Sequence, residues 1–163
     1  MKVDRIDLKI LELVQHNNRL TSEQIGDTVG LSPTAVVRRL KRLRSNKIII
    51  ADVSIVSAKA VGYPISFFVL CSLEREQADT VDRFVEAVRT EPTVTSASMV
   101  AGETDFVLTV VARNIEAYHQ LLRRYSDVFP GLRNVSSFAV LDQIKVGYAI
   151  PVTVDDPEGR SGT

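Results

Sequence analysis

The sequence predicts an α+β protein, a winged helix-turn-helix followed by a ferredoxin-like βαββαβ domain. Three observations predict it. Residues 21–47, TSEQIGDTVGLSPTAVVRRLKRLRSNK, read as two short helices joined by a tight turn. From residue 65 onward, strand-like runs and helical spacing succeed one another in the order β-α-β-β-α-β. Charge is split although the chain is formally neutral: residues 1–47 carry ten basic and five acidic side chains, and the remainder ten and fifteen. A basic front and an acidic back suggest two domains with different partners.

Residues 4–16 form the first helix. Asp4 caps it, and Ile6, Ile10, Leu13 and Val14 make its apolar stripe. His16 near its end reads as solvated or facing the helix dipole. Asn17-Asn18 breaks the helix, and Leu20 returns the chain to the core. Thr21 caps the second helix, with Gln24 placed to reach back as in a capping box. Gly30 follows its last position, where a left-handed residue is cheap. Ser32 caps the third helix and Pro33 sits at its first position, where a missing N–H costs nothing. Val36, Leu40 and Leu43 keep helical spacing and face inward. The rest of that helix carries Arg38, Arg39, Lys41, Arg42, Arg44 and Lys47 with no acid among them. A merely solvated helix tends to mix charge signs, so this pattern points to a helix that enters a DNA groove.

Residues 48–56 are β-branched and suit a wing strand, closing a first domain over 1–56. Residues 57–64 read as a linker with Gly62 and Pro64 as breakers. A second domain follows over 65–154. Its strands are 65–73, 94–101, 106–111 and 135–141, and its helices are 77–90 and 114–129. Two helices cover one face of such a sheet. The other face needs a partner, which predicts a dimer or larger assembly. Residues 155–163, DDPEGRSGT, hold no apolar side chain and are expected to be disordered.

Several function classes find little support. No apolar run approaches the roughly 20 residues of a membrane span. The first residues, MKVDRIDLK, are charged and lack a signal-peptide core. The single cysteine excludes an intramolecular disulfide, and Cys71 reads as an inert buried thiol. These features favour a cytoplasmic protein with no membrane partner. His16 and His119 have no metal-ligand neighbours at helical spacing. There is no phosphate-loop or dinucleotide glycine pattern, and acids are scattered. No catalytic residue, metal site or cofactor is expected. The turn Gly102-Glu103-Thr104-Asp105 has two readings. Gly and Asp are ordinary hairpin residues. Alternatively, exposed N–H groups near Gly102 bind a carboxylate while Asp105 pairs with an ammonium, the two groups of a free amino acid.

Over residues 3 to about 151 the chain resembles the Lrp/AsnC family, the feast/famine transcription regulators. In front, the resemblance lies in GLS at 30–32, followed seven positions after Ser32 by Arg39, then Leu40 and Leu43. Behind, it lies in MVAGETDFVLTVVARNIEAYHQLL, with a G-x-x-D-[YF] turn at Gly102–Phe106, and in FPGLRNVSSFAVLDQIK. The resemblance implies a sequence-specific regulator that binds double-stranded DNA. It implies homodimers that assemble to tetramers or octamers, and a small effector, commonly an amino acid, bound between dimers. Carried over by residue, Ser32, Pro33, Thr34, Arg38, Arg39 and Arg42 match the recognition helix. Thr34, Arg38 and Arg42 are expected to face the groove, with Lys41 and Arg44 on phosphates. Arg39 has a second reading, an ion pair with an acid such as Asp7. Gly102 and Asp105 match the effector turn, with Glu103 and Thr104 between them.

The chain departs from the family at Lys47, where a glycine is usual; Asn46 is expected to supply the left-handed residue instead. The family's wing tyrosine is also missing. Glu103 adds negative charge to the turn, which suits a basic effector if it faces the pocket. Siroheme decarboxylases resemble the chain in fold, but they rely on cleft histidines that this sequence lacks. A third reading is a sensor acting only through a partner protein.

Overall fold

The structure is a computed structural model describing residues 2–73, 78–147 and 149–152, without the side chains of residues 78 and 79. The expected helix start at 77, the second domain's expected end at 153–154 and the tail at 155–163 lie outside the described residues. Two compact units are present. One holds the chain up to Ser54 together with the described residues from Lys145 onward; the other spans Ile55–Ile144. This division differs from the one expected from sequence, because the chain returns to the first unit after Ile144. Ile150 is held there by a two-way pairing with the Gln15 side chain, which donates to its carbonyl at 2.9 Å and accepts from its N–H at 3.0 Å.

The first unit is built on α1 (Arg5–His16), α2 (Ser22–Val29) and α3 (Pro33–Ser45). Its centre is Ile10, Ile25, Val36 and Leu43, all fully buried, with Leu20, Leu40 and Ile49 packed around them. Each helix start is fixed by a side chain. Asp4 and Thr21 form reciprocal capping boxes with Asp7 and Gln24, and Ser32 accepts from the Ala35 N–H with Pro33 at the first helical position.

Two expectations for this unit are corrected. Residues 48–56 form no strand. β-branched residues favour strands by packing against neighbours, and no strand of the described chain lies alongside to complete a ladder. Ile50 is 88% exposed, and Asp52 is occupied by an ion pair to Arg44. The left-handed residue after α3 is Lys47 (φ 56°), whereas Asn46 has φ −92°. Asn46 donates its N–H and its side-chain amide to the Arg42 carbonyl, which holds it close to helical geometry. The turn passes to Lys47, and the Ile48 and Ile49 N–H groups then close on the Leu43 carbonyl at 2.9 and 3.2 Å.

The second unit begins with a 3-10 turn, Lys59–Val61, inside the expected linker. The elements β1 (Ile65–Leu73), α4 (Ala78–Thr90), β2 (Val94–Met99), β3 (Phe106–Ala112), α5 (Ile115–Val128) and β4 (Leu132–Ala139) follow in the expected order. They make an antiparallel sheet ordered β2-β3-β1-β4. β4 starts three residues earlier than expected and carries a bulge opposite Cys71, where Asn134 adopts φ 46°.

Phe67, Val69, Cys71 and Leu73 of β1 and Phe106, Leu108 and Val110 of β3 point to one face, under Phe84 of α4 and Tyr118 and Leu121 of α5. The Cys71 thiol lies in this core at 2% exposure, and burial pushes its pKa up to about 11. On the opposite face Phe68 pairs in register with Phe138 and stays 43% exposed, and Phe138 is 55% exposed. No described helix covers that face.

Candidate nucleic-acid interface and effector turn

The turn between α2 and α3 is tight for steric reasons. The Gly30 and Leu31 N–H groups both close on the Gly26 carbonyl, at 2.8 and 3.0 Å. Gly30 sits at φ 74°, and a β-carbon at Gly26 would meet the Leu31 carbonyl oxygen at 2.5 Å. Glycine at both positions therefore fixes how closely α2 approaches the start of α3.

α3 presents three distinct sides. Val36, Leu40 and Leu43 face the core. Arg39 and Arg42 lie along the flank toward α1. Asp7 is fully buried, and its carboxylate accepts from Arg39 Nη1 at 2.7 Å, Arg42 Nη2 at 2.5 Å and the Asp4 N–H at 3.1 Å. Three donors, two of them cationic, compensate a charge that would otherwise be costly to bury. Arg39 also donates to Asp4 at 2.6 Å, and that hydrogen bond holds the Asp4 carboxyl below its usual range. The remaining side carries Thr34, Val37, Arg38, Lys41 and Ser45, all exposed. Residues three, four and seven apart share a helix face, so these side chains point the same way.

The expected DNA-contact residues thus separate into groups. Ser32 spends its hydroxyl on the cap, while Pro33 and Thr34 are exposed at the helix start. Arg38 and Lys41 are exposed and make no ion pair with the described residues. Of the two readings of Arg39, the ion pair with Asp7 is present. Arg42 and Arg44, expected at the groove and on phosphate, are held by Asp7 and Asp52; Arg42 keeps 42% of its side chain exposed and Arg44 45%. The second arginine on Asp7 was missed in the sequence. Its signal was spacing: 39 and 42 share a face that an acid on α1 can reach. The Asp52 pairing had no comparable signal, because residues 48–56 follow no regular geometry.

In the second unit the Gly102–Asp105 turn is joined to the end of β1. Asp105 donates its N–H to the Cys71 carbonyl at 3.1 Å, and Thr104 Oγ1 donates to the same oxygen at 2.9 Å. The Leu73 N–H donates to Asp105 Oδ2 at 3.0 Å. Gly102 adopts φ 149°, which favours glycine, and Glu103 is exposed. Thr104 and Asp105 are half-buried. The turn is therefore held in place by β1, with a carboxylate at its end.

Histidines do not gather at a site: Nδ1 of His16 bonds to the Glu12 carbonyl on α1, and His119 is exposed on α5. Among the described residues no cluster of His, Cys, Asp and Glu could hold a metal, and no helix is long and apolar enough to cross a membrane.

A helix-turn-helix with a cationic exposed helix, followed by a sheet unit with a braced glycine turn, has the build of a DNA-binding protein with a second domain of separate role. Comparison with known proteins gives the family. Residues 3–44 match the AsnC-type helix-turn-helix domain and residues 66–150 the Lrp/AsnC ligand binding domain. The chain belongs to the Lrp/AsnC family of DNA-binding transcriptional regulators. It is 47% identical to the uncharacterized HTH-type transcriptional regulator y4tD of Sinorhizobium fredii, over 94% of this chain and 91% of that protein. It is 30% identical to the DNA-binding transcriptional activator DecR of Escherichia coli, over 92% and 99%. The fold matches a transcriptional regulator from Neisseria meningitidis solved as an L-Met complex, with a TM-score of 0.85 and 29% identity over 92% and 97% of the two chains. These relatives are named as regulators, which does not favour the decarboxylase reading.

Proposed function

We propose that this regulator reads DNA through the open side of α3 and answers to an amino acid at the Gly102–Asp105 turn. The observation that carries the first half is the division of α3. The Asp7 ion pairs fix the helix from one flank, and the neighbouring side leaves Thr34, Arg38 and Lys41 facing outward. Arg39 acts as a positioning residue. Arg42 does the same with its exposed edge near a phosphate, and Arg44 steadies the chain after the helix. Two such units in a homodimer would enter successive major grooves of a pseudo-palindromic site, about 34 Å apart. The uncovered sheet face with Phe68 and Phe138 supports pairing with a second copy, and further assembly to tetramers or octamers extends the same reading.

The amino acid effector rests on the turn's chemistry. Backbone N–H groups at Gly102 suit a carboxylate, and the Asp105 carboxylate suits an ammonium. The L-Met complex of the Neisseria protein supports that class of ligand. Cytoplasmic location and the absence of catalysis and cofactor follow from the same reading. The test is recovery of genomic fragments by the purified chain at two salt concentrations, with and without the twenty amino acids. Selective, salt-sensitive recovery that shifts with one amino acid is the expected result. Selective recovery indifferent to all twenty would overturn the effector half, and recovery indifferent to sequence would overturn the DNA half.

A further inference from the structure

Val37 is an exception on α3. It is 53% exposed, β-branched and surrounded by polar neighbours: Thr34 one turn before it, Lys41 one turn after, and Arg38 beside it. An exposed valine does not serve the helix, because straight-chain residues and alanine favour helices more. The core side of α3 is already filled by Val36, Leu40 and Leu43, and Arg39 and Arg42 are tied back to Asp7. Val37 is therefore the apolar element of the outward side of α3. Charged neighbours such as Arg38 and Lys41 find partners on phosphates or guanine edges, whereas an aliphatic side chain has no hydrogen-bond partner to find. Among the base edges of the major groove, the one apolar group is the 5-methyl of thymine.

We propose that Val37 is a specificity-determining residue that reads the 5-methyl group of one thymine in each half-site. This rests on the reading of α3 as the groove helix and adds to it a base identity that the cationic residues do not supply.

The test begins with selection of the preferred duplex from random sequence by the full chain. Each dT of that duplex is then replaced singly by dU, which removes the methyl and leaves the hydrogen-bonding edge intact. Wild-type binding should weaken roughly fourfold at one position per half-site, the factor that burial of a single methyl carries. Val37→Ala should bind the dT and dU duplexes equally, with a melting temperature that does not fall, because the side chain is outside the core and alanine favours the helix. Thr34→Ser, which removes the neighbouring methyl, should keep the discrimination. Indifference of the wild type to every dT→dU exchange, or full discrimination retained by Val37→Ala, overturns the assignment to Val37 and leaves the groove helix standing. Selection that enriches no sequence overturns the groove helix itself, and this assignment with it.

Discussion

Asp7 is the side chain with most at stake in the first unit. It is fully buried, and two guanidinium groups on α3 converge on it. Asp7→Ala would leave Arg42 without its counter-charge and Arg39 with Asp4 alone, and would remove a capping partner of α1. A loss of about 3 kcal/mol is expected, read as a shift in urea midpoint. Arg42→Ala should cost less, because Arg39 still neutralises the carboxylate. The Asp4 carboxyl is held below its ordinary value near 3.8, first by the hydrogen bond from Arg39. A depressed folded-state pKa means this stabilisation is complete above the unfolded value and is lost as pH falls through the folded one. Thermal melts of the wild type should therefore fall more steeply below about pH 4 than those of Asp4→Asn. At Lys47 the backbone pays for a left-handed conformation without glycine's freedom. Lys47→Gly should stabilise by about 0.5–1 kcal/mol, visible as a higher denaturation midpoint at unchanged slope.

At the scale of elements, the turn between α2 and α3 depends on close backbone approach. Gly26→Ala forces its new methyl against the Leu31 carbonyl, so a loss of about 1–3 kcal/mol is expected in thermal unfolding. Lys41→Ala keeps the helix and removes a single cation from its open side. The slope of log affinity against log salt should shrink by about one unit for each α3 on the DNA, about two for a dimer. Helix starts were legible in the sequence because caps are local: Asp4, Thr21 and Ser32 each act within three residues of themselves. The first strand of the second unit was legible as an apolar run, but which side of it is buried was not: the structure buries Phe67, Val69 and Cys71 and leaves Phe68 exposed. Residues 48–56 show the opposite case. Their β-branched composition signals a strand, but a strand also needs a neighbour, and composition carries no information about one. In the candidate site, local order revealed Ser32, Pro33 and the cationic face. Which arginines point outward depended on an acid more than thirty residues away, beyond what helical periodicity in α3 alone conveys.

For the whole molecule, the helix-turn-helix and the ligand binding domain lie in different units, so on the proposed reading any influence between DNA and effector is a coupling of two equilibria. The coupling is reciprocal: if an amino acid changes DNA affinity by some factor, operator DNA changes amino acid affinity by the same factor. Titration calorimetry with and without operator should show this. Asp105→Ala should remove the response and leave basal DNA binding in place. The Cys71 thiol, sealed under α4 and α5 with its pKa raised to about 11, has a separate consequence. At pH 8 it is neutral and out of reach, so thiol reagents should leave the native chain unmodified and react only when denaturant opens the sheet. The wild-type protein is thus a dark background for fluorescence: a dye on Ser45→Cys, at the outward side of α3, would report from that position alone, with the native cysteine left in place.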